Sequence, residues 1–147
     1  MYSEIVKTIV TWAEVSDALE ALDAIEAILY KTRVDDQQSN GIAAKYKLVK
    51  ELQSELADQA DKVDWIRLRR EELKNMRVVR LTTAIELASD VVDRAGSWVK
   101  QNIGLDTVID WVVDARLLGG CKVTFEGKFT DQSLATRLDE YWEKYDR

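Results

Sequence analysis

The stretch from Leu117 to Leu138, LLGGCKVTFEGKFTDQSLATRL, constrains the fold of this chain more than any other. Gly119 and Gly120 interrupt an apolar run, so the backbone there can bend or take a positive φ. Lys122–Phe125 and Lys128–Thr130 read as two short strands, and Glu126-Gly127 between them has the spacing of a two-residue turn. Asp131 and Ser133 are helix-start residues, and the segment from there to Tyr145 reads as a helix. A bend, a hairpin and a capped helix are therefore expected in immediate succession.

Upstream, the hydrophobic period changes once. Ile5, Ile9, Trp12, Val15, Leu19, Leu22, Ile25 and Leu29 recur at three- and four-residue steps, which predicts helix over residues 3–32. Thr11 with Glu14 matches a capping box and predicts a break near Thr11. Val34 to Gly41 is polar and reads as a loop. Val49, Leu52, Leu56, Val63, Ile66 and Leu73 form a heptad-like stripe over a second helix, 42–75, with Gln59 and Arg70 as polar intrusions and 57–61 as a hinge. Residues 1–75 are thus expected to form a helical hairpin or small bundle.

From Met76 the pattern shortens. Arg77–Ala84 is β-branched and reads as a strand. Ala88, Val91, Val92, Ala95, Trp98, Val99 and Ile103 return to one helical face over 88–103, which Gly104 ends. Residues 107–113 read as a second strand. The expected fold class is α+β and mostly helical, with a small β-α-β-β-α domain over residues 76–147.

Several functions are disfavoured by composition. The 147 residues include no histidine, which removes the commonest general base and the commonest metal ligand. The net charge of −6 disfavours broad nucleic-acid binding, which needs a concentrated basic surface. The strongest basic cluster, Arg67, Arg69, Arg70, Lys74, Arg77 and Arg80, is interleaved with Glu71 and Glu72 and reads as a solvated face, or secondarily as a dock for an acidic helix. No apolar run approaches the ~20 residues that cross a bilayer, so no direct membrane insertion is expected. The acids Glu4, Glu14 and Asp17 are unlike a signal peptide, so a cytosolic chain is expected. The lone Cys121 has no partner for an internal disulfide and reads as a buried strand residue.

The C-terminal half resembles the delta subunit of F-type ATP synthases, the counterpart of the mitochondrial oligomycin-sensitivity-conferring protein. That family runs strand, helix, strand, Val-Asp-Pro-Ser-Leu-Ile-Gly-Gly, hairpin, Asp-Gly-Ser, and a helix with Arg-Leu. Val113, Asp114, Leu117, Leu118, Gly119 and Gly120 stand at the matching places, and Asp131, Ser133, Arg137 and Leu138 match the closing motif. Ala115, Arg116 and Gln132 depart from the family's Pro, Ser and Gly. The resemblance covers about residues 76–140, and the N-terminal half looks like a shortened form of the family's helical bundle.

The resemblance implies a non-catalytic stator subunit of a proton-translocating ATP synthase, peripheral to the membrane. It ties the catalytic head to the stalk so that the head resists rotor torque. The implied partners are the stalk b subunit and the N-terminal helix of the alpha subunit, with no cofactor, metal or nucleic acid. A groove between amphipathic helices suits such a partner. The alternatives are a generic helical adaptor and an E-like stalk subunit of a V/A-type ATPase, whose hairpin is usually longer. An enzyme is the weakest alternative, because no nucleophile–base pair can be assembled.

On this reading Asp114, Leu117, Gly119, Gly120, Asp131, Ser133, Arg137 and Leu138 are scaffold residues. The Gly119-Gly120 pair lacks the surrounding pattern of a phosphate loop. Asp131 and Ser133 cap the last helix, and Arg137 bonds back to Asp131 or a carbonyl. Asp17, Glu20, Asp23 and Glu26 form a solvated acidic face rather than a metal set. The five tryptophans read mostly as core, with Trp12 and Trp142 as possible interface anchors.

Overall fold

A computed structural model of the chain describes residues 3–30 and 49–145. The expected Val34–Gly41 loop and the helix over 42–48 lie outside the described residues. The fold is α+β and mostly helical, with one four-stranded sheet. The chain divides into two compact units. One comprises Met1–Ile9 with Ala13–Met76, and the other Val10–Trp12 with Arg77–Arg147.

The first unit is helical: α1 (Glu4–Thr8), α2 (Trp12–Tyr30), α3 (Val49–Ala57) and α4 (Lys62–Lys74). The break expected near Thr11 lies between Thr8 and Trp12. Its inner residues are Ile5, Val6 and Ile9, then Val15, Ala18, Leu22 and Ile25 on one face of α2. Leu52, Leu56, Trp65, Ile66 and Leu73 supply the rest.

The second stripe is not continuous. Asp61 starts a new helix, accepting hydrogen bonds from Val63 N (3.1 Å) and Asp64 N (3.0 Å). That restart changes the helical phase. Val63, expected inside, is 42% exposed, and Trp65 is buried with Ile66 instead. Arg70 is no stray intrusion in the stripe. Its guanidinium reaches Glu26 and Asp23 on α2, the latter at 2.6 Å.

The second unit holds β1 (Arg77–Thr83), α5 (Ser89–Asn102), β2 (Thr107–Val113), β3 (Cys121–Phe125), β4 (Lys128–Asp131) and α6 (Leu134–Tyr145). Sheet order is β2-β1-β3-β4. β1 and β2 are parallel, as a strand–helix–strand crossover allows, and the β1·β3 and β3·β4 pairs are antiparallel. The β3–β4 hairpin turns on Glu126 (φ 47°) and Gly127 (φ 77°), the two positive φ angles of a type I′ turn.

Strand alternation assigns the faces. Val79, Leu81, Ile109, Trp111, Val123 and Phe125 share one side and pack with Ala95 and Val99 of α5 and with Ile103 just past its end. Trp98 was expected on that helical face, but it is 60% exposed. The stripe that meets the sheet is narrow (92, 95–96, 99, 103), and residue 98 falls outside it. Trp111 stays half-buried, with its indole N–H donated to Thr83 Oγ1 at 2.9 Å. Cys121 is half-buried rather than buried, because it opens β3 beside the Gly-Gly bend.

Candidate partner-docking surface

The site is assembled from the end of β2. Asp114 N donates to Thr83 O at 2.8 Å. Its carboxylate accepts from Arg116 N at 3.0 Å, opening a single 3-10 turn over Ala115–Leu117. Arg116 closes its guanidinium on both Asp114 oxygens at 2.9 Å each. That side-chain pairing, with the amide bond, holds the Asp114 carboxyl below the usual carboxylate range. Leu117 turns inward and is buried, while Leu118 takes a left-handed φ of 61° and is exposed.

Gly120 then has φ 74°, and a Cβ there would overlap Gln132 O and lie 3.1 Å from Gln132 C. Close backbone approach explains that crowding. Gln132 N donates to Cys121 O (2.9 Å), and Leu134 N donates to Gly119 O (2.9 Å). The glycine pair is thus stitched to the start of α6.

A hydroxyl–carboxylate chain finishes the cap. Asp131 accepts from Ser133 N and from Thr136 Oγ1, both at 2.8 Å, and pairs with Lys122 Nζ at 3.2 Å. Ser133 is fully buried; its Oγ donates to Thr136 Oγ1 and accepts from Thr136 N at 3.4 Å. Ser133, through side chain and amide, followed by Thr136 and Lys122, holds the Asp131 carboxyl far below its ordinary range. Arg137 does not bond to Asp131. With those oxygens already engaged, it donates to Gln132 Oε1 at 3.0 Å.

This mount presents α6. The helix has no buried residue. Leu134, Leu138, Tyr141 and Tyr145 recur at i, i+4, i+7 and i+11, so they line one side, with Trp142 beside them. All five are exposed, Trp142 at 61%. Tyr141 stacks with Tyr145 at 4.5 Å between ring centres and meets Trp142 edge-on at 5.7 Å. Asp139, Glu140 and Glu143 lie off the stripe. An apolar, aromatic stripe bordered by Arg137 and Lys144 on one side and Asp139 on the other can take up a second amphipathic helix. Trp142 and Leu138 were singled out from the sequence. The full stripe was legible at helical spacing but had no assigned role.

The other sequence candidates stand elsewhere. Trp12 is half-buried at the start of α2. Asp23 and Glu26 are held by Arg70, and among the described residues no cluster of three potential ligands could hold a metal ion. The basic run is largely neutralised. Arg67 pairs with Asp64, Arg69 with Glu72, Arg77 with Asp106 and Glu126, and Arg80 with Asp110. No described helix is long and apolar enough to cross a membrane.

The described residues thus form a helical unit and a small mixed-sheet unit whose last helix leaves an apolar stripe exposed. The family profile of the ATP synthase delta (OSCP) subunit matches residues 24–144, and the chain belongs to that family. It is similar to "ATP synthase subunit delta" of Thermosipho africanus, at 28% identity over 69 residues, covering 47% of this chain and 38% of that protein. The protein of the same name from Heliobacterium modesticaldum is 33% identical over 67 residues, 46% of this chain and 36% of that one. The chain therefore aligns with less than two-fifths of the length of either relative. A chain of the Polytomella F-ATP synthase overlays only weakly, with TM-score 0.38 and 20% identity over 49% of this chain and 92% of that chain.

Proposed function

We propose that this chain is a non-catalytic peripheral-stalk subunit of a proton-translocating F-type ATP synthase, holding the catalytic head against rotor torque. Family membership over residues 24–144 carries the assignment, and the exposed α6 stripe indicates how the role is performed. In this reading residues 76–147 form the α/β domain that docks the stalk b subunit through Leu134, Leu138, Tyr141, Trp142 and Tyr145. Residues 1–75 are a reduced helical bundle that receives the N-terminal helix of the alpha subunit. Asp114, Leu117, Gly119, Gly120, Asp131, Ser133 and Arg137 hold the docking helix in place and touch no substrate. The subunit sits on the cytoplasmic side, joined to the membrane only through the complex.

Such a surface supports holding rather than turnover. A long apolar stripe buries area continuously along a helix, and affinity gained that way appears mainly as slow dissociation. The charges of both signs at its borders, Arg137 and Lys144 on one side and Asp139 on the other, add registry toward a partner. The test is recovery of partners by the tagged chain from its own cells. Capture of the b and alpha subunits is expected, with b lost and alpha retained when Leu138→Asp is introduced. Failure to recover either subunit would sink the assignment.

A further inference from the structure

Among the edges of the sheet, β2 carries an addition that the strand pattern does not announce. Val10–Trp12 belongs to the α/β unit although the residues on both sides of it belong to the helical one. Thr11 forms a parallel bridge with Ile109, and Ile109 N donates to Val10 O at 3.0 Å. The segment thus lies where an added strand would lie, on the outer side of β2. Beside it, α5 carries Gly96 in its buried interior. Glycine in mid-helix is unfavourable, so a reason is required. The reason is Val10: a Cβ at position 96 would overlap Val10 Cγ1 and stand 3.1 Å from Val10 Cβ.

We propose that Val10–Trp12 is a clasp, a short intramolecular strand addition that closes the edge of β2, and that Gly96 is the socket receiving its Val10 knob. Two independent observations meet there, a backbone bridge on β2 and a side-chain socket on α5. Each alone could be incidental. Together they fix the segment in register and in depth. The clasp occupies the position that any extended segment from another chain would take on this edge. The α/β unit is therefore completed by residues from the far end of the sequence, and its β2 edge is guarded while the clasp is seated.

Amide hydrogen exchange on the full chain tests this. Gly96→Ala should raise exchange at Ile109 at least tenfold while Leu81 and Val123, in the ladder between β1 and β3, keep their protection. Moving the knob from clasp to helix, in the double variant Val10→Ala with Gly96→Ala, should bring Ile109 back to within about threefold of the parent, because the clashing methyls are gone. Unchanged Ile109 exchange in Gly96→Ala would overturn the clasp. So would a double variant that stays open, or loss of protection spread equally to Leu81 and Val123.

Discussion

Helices α4 and α6 are both amphipathic, both charged on the outside, and each carries one tryptophan. On α4, Trp65 is 6% exposed, and Ile66 and Leu73 are buried as well. On α6, Trp142 is 61% exposed beside Tyr141 and Tyr145, and the helix buries nothing. The same residue type in the same secondary structure therefore has opposite surroundings. Helical periodicity says that a face seeks a cover. It does not say whether the cover is in the same chain. For α4 the cover is intramolecular, whereas among the described residues the α6 stripe is left exposed.

The sharpest way to break this comparison is to truncate both tryptophans. Trp65→Ala should destabilise the fold by ~3–5 kcal/mol, as loss of a buried aromatic does. Trp142→Ala should stay within ~0.5 kcal/mol of the parent. Urea midpoints measure both, and equal losses would mean that α6 is part of a core after all. The same Trp142→Ala protein should bind a stalk-subunit fragment at least ~10-fold more weakly in titration calorimetry, as for an aromatic anchor.

The mount of α6 offers the next largest effect. Gly120→Asp places a Cβ against Gln132 O at φ 74°, and the strained conformation alone costs ~1–3 kcal/mol. A fall in thermal midpoint with weaker partner binding is expected. An unchanged midpoint would show that the bend does not need glycine. Arg70→Ala probes the α2–α4 contact instead. It leaves Asp23 and Glu26 without the guanidinium they share, and a loss of ~1 kcal/mol is expected from a half-exposed charged network.

The smallest effect concerns pH. The Asp131 carboxyl titrates lower in the folded chain than in the unfolded one. Its contribution is fully present above the unfolded value of ~3.9 and is lost as the pH falls below that toward the folded value. The cap should therefore hold unchanged from neutrality down to about pH 4 and weaken beneath it. Asp131→Asn should flatten that acid limb when stability is followed from pH 6 to pH 2.5. An acid limb identical in the variant would remove Asp131 as its source.

Much of the α/β unit was legible because its signals are local. Lys122–Phe125, Glu126-Gly127 and Lys128–Thr130 specify a hairpin by alternation and turn chemistry alone, and the hairpin lies at Cys121–Asp131. Asp131 and Ser133 announce a helix start in the same way. Val63 and Trp98 were misplaced for a shared reason. Each was judged by its place in a stripe, and the stripe's phase was reset by the Asp61 cap in one case and narrowed by a sheet in the other. Of the two partners expected for Arg137, Asp131 or a carbonyl, the structure has the side-chain carbonyl of Gln132, with Asp131 already engaged by Thr136 and Lys122.

By itself the sequence determined the order of elements, the bend–hairpin–cap block and the family motif, since each depends on residues within a few positions of one another. Four features needed the tertiary structure: Arg70 between Asp23 and Glu26, Val10 in the Gly96 socket, Arg116 closed on Asp114, and the outward face of α6. Three of these depend on distance in space rather than along the chain, or on which of several nearby partners is free. The last depends on what the other described elements leave uncovered. Hydrophobic spacing is set residue by residue, but burial is settled only when every other element has taken its place.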